Sequence, residues 1–333
     1  MKAISVFNNK GGVGKTTLLC NIASYLAKEK GKKVLIIDAD PQCNATIYLF
    51  KDECIDAFYE TESKHKTIYN IVLPYKKGKD FLTLEDYPIE HSHGFGVDCL
   101  IGDTHLGIME DFLSMEWLEA CKGTERSMDT TFVFKKMVME LATKYDYIFF
   151  DIGPSLGAIN RAVLLSCDYF IIPMASDVFC LKAIDNISSS LDDWHHKYKD
   201  MLDEYEKSEK CKYTINGEIT EFNLKFLGYC ILLYNFSNDK PVKAYEPIIA
   251  NIPAKIESQL CQYAVNIAPQ ELKIGEVPKL NSMVPMSQTA KKPIFNLSYY
   301  DGVVGGHVAY VESFKTLMEN ICYKVEHNIS ADK

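Results

Sequence analysis

Arginine is almost absent from this chain of 333 residues. Arg126 and Arg161 are the only two, so nearly all of the 36 lysines and arginines are lysines. Recognition of phosphate or carboxylate groups by a two-pronged guanidinium is therefore scarce. Acidic residues number 45, which gives a net charge of −9. This balance argues against a protein coated in positive charge for nucleic acid, although it permits a local basic patch.

The chain also lacks the features of membrane and secreted proteins. No run approaches the ~20 apolar residues that cross a bilayer. Residues 3–7 form a strand-like segment rather than the charged start and apolar core of a secretory signal. The eleven cysteines include no C-x-x-C pair, and several lie in apolar runs, as Cys167 and Cys180 do. We therefore expect reduced thiols in a cytoplasmic protein without a membrane partner.

Strand-like apolar runs alternate with helical patterns through most of the sequence. This alternation predicts an α/β fold, a doubly wound, mostly parallel sheet flanked by helices. The runs are continuous, which is typical of strands covered on both faces. They are Ile4 to Phe7, Val34 to Ile37, Tyr147 to Phe150, Tyr169 to Ile172 and Phe226 to Leu233.

Two regions interrupt this alternation within what we interpret as a single domain over residues 1–333. Residues 51–145 are divergent, mixed and loop-rich, with a helix predicted around Phe134 to Leu141. Residues 188–223 are predicted to be an insertion, a helix followed by a hairpin at Asn216-Gly217.

A glycine-rich segment follows the first strand and opens a helix. Its glycines allow backbone N–H groups to close around phosphate oxygens, and the helix adds the positive end of its dipole. Lys15 is expected to neutralise β- and γ-phosphate charge, Thr16 to ligate Mg²⁺ and Thr17 to contact the α-phosphate. The segment reads Asn8, Asn9, Lys10, Gly11, Gly12, Val13, Gly14, Lys15, Thr16 and Thr17.

The segment departs from the general phosphate-loop pattern at one position. The first glycine of G-x-x-x-x-G-K-[ST] falls on Asn9, and an additional lysine, Lys10, stands at the loop entrance. Lys10 to Thr17 resembles the deviant Walker A motif of the ParA/MinD class of P-loop ATPases. In that class the first lysine reaches across a nucleotide-sandwich dimer to the partner's phosphates.

Three further stretches carry the resemblance. Residues 38–46 are similar to the ParA sequence D-x-D-P-Q-x-N-x-T, which is narrower than the class as a whole. Residues 147–157 resemble its Walker B and switch II segment, and Lys291-Lys292-Pro293-Ile294 resembles its terminal lysine–proline element. The resemblance covers residues 1–50 and 145–187 well and implies an ATPase that uses ATP and Mg²⁺.

Three aspartates follow predicted strands and are expected to reach the sheet edge beside the phosphates. Asp151 ends an apolar strand, which suits an indirect contact with Mg²⁺. Asp38 and Asp40 follow another strand, and their spacing can point both carboxylates to one side. The resemblance implies that Asp40 orients or activates the attacking water and that Asp38 supports the metal region.

Two segments are candidates for sensing and holding the nucleotide. Gly153-Pro154 follows Asp151 and resembles a switch that senses the γ-phosphate, although family members usually carry a different residue at the position of Gly153. Asn235, just after a predicted strand, is a candidate hydrogen-bond partner for adenine, and an ordinary loop asparagine is the alternative.

The resemblance implies a homodimer in the ATP state that binds DNA non-specifically and engages a ParB-like partner. Lys273, Lys279, Lys291 and Lys292 are the local candidates for DNA contacts, with a solvated charged face as the alternative. The first strand begins near residue 3, so we expect any DNA contact to come from the ATPase body rather than from a preceding helix-turn-helix. Nucleoid association would follow from DNA binding.

Other readings remain open. The regions 51–145 and 188–223 also suit a regulatory ATPase subunit of a multiprotein assembly, such as a bacterial defence system. MinD-like membrane positioning is disfavoured, because the apolar stripe over Tyr310 to Asn328 carries interspersed acids and suits a core-packing helix. An iron-protein relative lacks a convincing pair of cluster ligands, with Cys99 and Cys121 the remaining candidates.

Overall fold

The computed structural model describes residues 1–60, 67–78, 87–175, 177–232, 236–237, 240–241, 246–280 and 282–332. Its strands are β1 (Lys2–Val6), β2 (Val34–Asp38), β3 (Ile89–Ser92), β4 (Val97–Leu100), β5 (Tyr147–Asp151), β6 (Tyr169–Ala175), β7 (Thr214–Ile215), β8 (Glu218–Ile219), β9 (Lys225–Leu232), β10 (Phe236–Ser237), β11 (Lys240–Pro241) and β12 (Lys273–Val277). Its α-helices are α1 (Lys15–Lys28), α2 (Asn44–Leu49), α3 (Asp52–Tyr59), α4 (Ile68–Lys76), α5 (Met109–Ala120), α6 (Glu125–Thr131), α7 (Val133–Leu141), α8 (Ala158–Leu164), α9 (Val178–Glu209), α10 (Glu246–Leu260), α11 (Met283–Ala290) and α12 (Gly306–Ala331).

An eight-stranded sheet in the order β12-β9-β6-β1-β5-β2-β4-β3 forms the centre of the described structure. All neighbouring strands run parallel except β3, which pairs antiparallel with β4 at the edge. The predicted α/β, mostly parallel fold is thus confirmed. In the register of β5, Asp151 lies opposite both Val6 and Asp38, so β1, β2 and β5 end side by side. This shared edge is where ligands bind in open α/β sheets.

Helices α1 and α12 cover one another and the sheet. Leu19, Ile22 and Leu26 of α1 are fully buried, as are Met318 and Ile321 of α12. Burial of each such side chain contributes roughly 1.5–3 kcal/mol, so the end of the chain stabilises the layer that carries the glycine-rich loop. The apolar stripe of α12 therefore packs on the core, as predicted. No helix of the described residues has the length and apolar character needed to cross a bilayer.

The region 51–145 contains more regular structure than its composition indicates, so the loop-rich expectation is wrong there. β4 continues the parallel sheet beyond β2, and β3 returns beside it. Both strands are four residues long, and β12 alternates buried with more accessible positions instead of forming an apolar run. These three strands gave too weak an apolar signal to be predicted.

The segment predicted as an insertion begins inside a longer element. α9 is a single helix of 32 residues that starts at Val178, ten residues before the predicted boundary. The hairpin at Asn216-Gly217 is present as β7 and β8, with positive φ angles at both turn residues. Positive φ at both central positions is what a two-residue hairpin turn of this kind requires.

Candidate functional site

The glycine-rich loop connects β1 to α1 at the shared sheet edge. Gly12 and Gly14 have φ angles of 71° and 72°, a region that L side chains rarely adopt. Asn8 is buried and fixes the loop entrance, because its Nδ2 donates to the Pro173 carbonyl at 2.7 Å and its Oδ1 accepts from the Lys10 N–H at 2.9 Å. The loop therefore curves around a cavity of about 410 Å³.

Lys15 reaches into this cavity from the first turn of α1. It is only 8% exposed, and its Nζ donates weakly to the Lys10 carbonyl at 3.4 Å. Burial lowers the pKa of the Lys15 ammonium, while the nearby carboxylates of Asp151 and Asp40 act in the opposite direction. An ammonium group that has lost most of its water interacts strongly with an anion that enters the same space.

Asp151 and Thr16 meet at the base of the cavity. The Thr16 hydroxyl donates to Asp151 Oδ2 at 2.8 Å, which joins the start of α1 to the end of β5. Asp151 is 1% exposed, and burial raises the pKa of its carboxyl well above the ordinary value, with the neighbouring Asp38 adding to the rise. The hydrogen bond from Thr16 works against this increase.

Asp38 is fully buried on the neighbouring strand and holds the start of α2. Its Oδ2 accepts from both the N–H and the hydroxyl of Thr46, each at 2.7 Å. The same hydroxyl accepts from the Gly102 N–H at 2.9 Å. Burial raises the pKa of Asp38 to about 7 despite the two hydrogen bonds from Thr46. One of its oxygens therefore has a structural partner already.

The other oxygens of these two carboxylates are suited to a cation. Within the described part of the chain, Asp38 Oδ1 and Asp151 Oδ1 are buried without a hydrogen-bond partner. Two adjacent buried carboxylates with unpaired oxygens are unfavourable unless a positive charge or protons compensate them. Oxygen ligands beside a phosphate-binding loop are the type that Mg²⁺ uses, so the donor set fits this ion.

Asp40 lies against the switch segment. It is 5% exposed, and its Oδ1 accepts from the Gln42 N–H at 2.9 Å. A Cβ atom built on Gly153 would lie 3.3 Å from Asp40 Oδ1, and one built on Gly11 would lie 3.7 Å from Pro154. Pro154 thus lies beside the glycine-rich loop, and Gly153 lies beside Asp40. Glycine at position 153 permits this close approach.

The helix after the switch segment is capped from another element. Gly157, the N-cap residue of α8, has no side chain to cap it. The carboxylate of Glu110 on α5 accepts instead from the N–H groups of Ala158 and Ile159, the latter at 3.0 Å. A carboxylate at a helix N-terminus satisfies free N–H groups and complements the helix dipole. The divergent region 51–145 therefore contributes directly to the support of the switch.

Lys10 points away from the cavity in the single chain. Its ammonium forms an ion pair with Asp177 and lies 5.9 Å from the centre of the Phe179 ring. Asp177 is the N-cap of α9, and its other oxygen accepts from the Phe179 N–H at 2.9 Å. Phe179 itself is 65% exposed beside this pair.

A second cavity, of about 220 Å³ and mostly apolar, adjoins the glycine-rich loop. Its walls combine the loop with the ends of β9 and β12, the residues just after β12, and side chains of α11 and α12. The apolar residues lining it are Val13, Leu18, Leu232, Val277, Pro278, Leu280, Val284 and Phe314. Sequence analysis missed this cavity because its walls come from distant segments. Asn235, the predicted adenine contact, lies outside the described residues.

The four lysines proposed as DNA contacts do not form one free patch. Lys273 pairs with Glu276, and Lys292 pairs with Asp301 at 2.8 Å. The Lys291 ammonium donates to the Ile47 carbonyl at 2.7 Å and so fastens the lysine–proline element to α2. Lys279 is exposed just beyond the end of β12, whereas Lys273 is the first residue of that strand and so lies at its other end.

Comparisons with known proteins give the chain's relatives. The family described as an AAA domain (AAA_31) matches residues 1–204. The chromosome partitioning protein ParA of Myxococcus xanthus is 28% identical over 193 residues, which are 57% of this chain and 58% of that protein.

Two solved structures resemble most or nearly all of the chain. A protein of Corynebacterium diphtheriae is 33% identical, with a TM-score of 0.73 over 87% of this chain and 97% of that one. The ATP complex of a McdA variant from Cyanothece has a TM-score of 0.63 over 99% of this chain and 96% of that one. At 18% identity, the second likeness concerns the fold alone.

Proposed function

The chain belongs to the family of ParA-like P-loop ATPases, and from that premise we propose that it is an ATP-gated dimeric switch that positions a large cargo. The observation that carries the proposal is the convergence of Lys15, Thr16 and Asp40 on one loop-lined cavity, with Asp151 hydrogen-bonded to Thr16. Family membership supports an ATPase, and the deviant Walker A loop with Lys10 supports dimerisation.

ATP is the proposed nucleotide. The loop from Gly11 to Thr17 offers N–H groups, Lys15 and the positive end of α1 to the phosphates. The apolar cavity next to Gly14 and Leu18 has the character of a site for a flat purine ring. Because the two cavities share Gly12, Val13, Gly14 and Thr17 as lining residues, one nucleotide can fill both.

Mg²⁺ is the proposed cofactor, with the Thr16 hydroxyl as its ligand and Asp151 as the residue that holds its water shell. When bound, the ion would neutralise charge on the phosphates. Asp38 supports the site from the neighbouring strand while it holds Thr46. This assignment gives the unpaired oxygens of Asp38 and Asp151 a positive neighbour.

Asp40 is the proposed residue that orients the attacking water. Its carboxylate lies at the cavity wall between the loop after β2 and the switch segment. A buried carboxylate there can accept a hydrogen bond from the attacking water and hold that water in line with the last phosphate. Pro154 and Gly11 line the cavity beside it.

Lys10 is the proposed contact between the two copies. In the single chain its ammonium is held by Asp177 beside the exposed Phe179 ring. On dimerisation Lys10 would leave Asp177 and contact the phosphates of the nucleotide bound by the partner copy. Loss of the last phosphate would weaken this contact between the two copies. A partly exposed ion pair is worth about 1 kcal/mol or less, so the exchange costs little.

We propose that the dimer binds duplex DNA without sequence specificity and engages a ParB-like protein as its partner. Relatives named for chromosome partitioning support this role. The pair made by Lys273 with Glu276 is partly exposed, and phosphates can compete with such a pair. Filter binding on plain duplex at low salt, with and without ATP, tests the proposal. Equal retention of the duplex with and without ATP would exclude ATP-gated DNA binding from the proposal.

The central experiment measures ATP hydrolysis and mass in solution. The wild-type chain with Mg²⁺ should hydrolyse ATP slowly and become a dimer with a non-cleavable ATP analogue. Lys15→Ala should lose both properties, because a buried charge-assisted contact worth roughly 1.5–3 kcal/mol is removed. Lys30→Ala, an exposed lysine beyond α1, is the matched control and should behave as wild type. A wild-type chain that stays monomeric with analogue and Mg²⁺ contradicts the proposal.

A further inference from the structure

A buried asparagine in the first turn of α8 holds the switch segment by hydrogen bonds. Asn160 is 2% exposed, although it is an amide side chain on a short helix. Its Nδ2 donates to the Gly153 carbonyl at 2.8 Å and to the Ser155 carbonyl at 2.7 Å. The Ser155 hydroxyl lies 3.2 Å from the same nitrogen. Both hydrogens of one NH₂ group therefore serve the residues around Pro154.

These bonds fix the part of the chain that touches the phosphate cavity. Pro154 and Gly11 lie close together at the cavity, and Gly153 lies beside the Asp40 carboxylate. Pro154 has no N–H, so the peptide between Gly153 and Pro154 can be anchored only through its carbonyl. Asn160 anchors that carbonyl. A rotation of this peptide would move the switch segment relative to Asp40, and the amide opposes it.

Asparagine is chemically well matched to this task. Two carbonyl acceptors need two donors from one atom, which a carboxamide NH₂ supplies. Aspartate at the same place would set a carboxylate against two carbonyl oxygens, and alanine would leave both carbonyls without this donor. The nearly complete burial of Asn160 increases the cost of either loss.

We propose that Asn160 is a positioning residue for ATP hydrolysis, which holds Gly153 and Ser155 so that the switch segment keeps its place beside Asp40 and the last phosphate. The inference rests on the proposed function. Asn160 acts through the switch segment, because its amide contacts the Gly153 and Ser155 carbonyls and is not among the residues that line the phosphate cavity. Its loss should therefore lower the rate of hydrolysis and leave the binding of ATP largely intact.

The test compares Asn160→Asp and Asn160→Ala with Asn328→Asp. Asn328 is equally buried, and its Nδ2 donates to the Leu227 carbonyl at 2.9 Å. Leu227 lies near the start of β9, whereas the glycine-rich loop lies at the sheet edge where the strands end. The control thus makes the same chemical change in a buried amide outside the site. Thermal melts identify the variants that fold, and Asn160→Ala serves if Asn160→Asp does not.

Two measurements decide the proposal. In steady-state kinetics, the Asn160 variants should lower kcat at least about tenfold with less than about threefold change in the binding of a fluorescent ATP analogue. In hydrogen exchange of the nucleotide-free chain, amides over residues 152–157 should exchange faster than in wild type. Asn328→Asp should change neither quantity.

The outcomes separate this inference from the proposed function. Unchanged kcat or unchanged exchange over residues 152–157 in folded Asn160 variants overturns the inference. An equal loss of kcat in Asn328→Asp overturns it as well, because the effect would then be general. A wild-type chain without ATPase activity overturns the proposed function, while the exchange measurement still shows whether Asn160 holds the segment.

Discussion

The ammonium of Lys10 is paired with Asp177 across 167 positions of sequence, so the lysine at the loop entrance is engaged within its own chain. Asp177 serves at the same time as the N-cap of α9. The pair joins the glycine-rich loop to the helix that carries the exposed Phe179. In the proposed switch, this contact competes with contact between two copies.

Asp177→Asn is expected to favour dimerisation. Asparagine caps a helix about as well as aspartate, so α9 should be preserved while the charge that holds Lys10 is removed. A partly exposed pair is worth about 1 kcal/mol or less per copy, so with two copies the protein concentration at half dimerisation should fall by up to roughly thirtyfold. Analytical ultracentrifugation with a non-cleavable ATP analogue measures it.

Lys10→Ala is expected to do the opposite. It should bind ATP nearly as well as wild type but fail to dimerise or turn over. Lys182→Ala, an exposed lysine on α9, is the matched control. A Lys10→Ala chain that dimerises normally, or an Asp177→Asn chain that dimerises less readily, contradicts the competition between the two contacts.

Asp40→Ala is expected to trap the ATP-bound dimer. Removal of a group that orients or activates water typically slows a reaction by about 10²–10⁴-fold, whereas the residues that hold the phosphates stay in place. Size-exclusion chromatography with ATP and Mg²⁺ should show a persistent dimer, and phosphate release should be nearly absent. Asp56→Ala, an exposed acid on α3, should turn over normally. Rapid hydrolysis by the Asp40 variant would falsify its catalytic assignment.

Val284→Asp tests the apolar cavity as the site of the base. A carboxylate placed in this wall loses water without gaining a partner, so affinity for ATP should fall by roughly tenfold or more. Inorganic triphosphate, which has no base, should bind the variant and the wild type equally. Val304→Asp, at an exposed valine outside the cavity, is the control. An equal loss for both ligands would mean that the substitution disturbs the loop itself.

Asp38 predicts a pH dependence of stability in the nucleotide-free, metal-free chain. Burial raises its pKa from 3.8 to about 7, so the folded state holds a proton that the unfolded state releases in this interval. The free energy of unfolding should therefore fall as the pH rises from about 4 to 7, by about 1.4 kcal/mol per pH unit from this group.

Asp38→Asn isolates that contribution. The amide oxygen can still accept from Thr46, and the side chain no longer titrates. Urea unfolding at pH 5 and pH 7 should show that the wild type loses roughly 2–3 kcal/mol more than the variant over this interval. If both chains lose the same amount, Asp38 is not the group that titrates.

Local sequence was enough to predict the strand–loop–helix unit around Lys15 and the central strands. The glycines, Lys15 and Thr16 lie within a few residues of one another, and their phosphate-binding roles stay a prediction. Strands buried on both faces appear as continuous apolar runs. β3, β4 and β12 are short or only partly buried, so the same signal does not reveal them.

The contacts that connect distant segments could not be predicted in this way. The partner of Lys10 is Asp177, and the apolar cavity joins residues from Val13 to Phe314. Asp38 was expected to support the metal region, yet one of its oxygens holds Thr46, eight residues away. Such pairings depend on the path of the chain through the sheet.

The cap that Glu110 supplies to α8 has a consequence for protein engineering. A chimaera that replaces residues 51–145 with the equivalent stretch of a relative would remove an acceptor from the first N–H groups of α8, since Gly157 offers none. Grafts that carry a glutamate at this position should stay responsive to nucleotide, and grafts without one should lose that response even though every motif residue is retained.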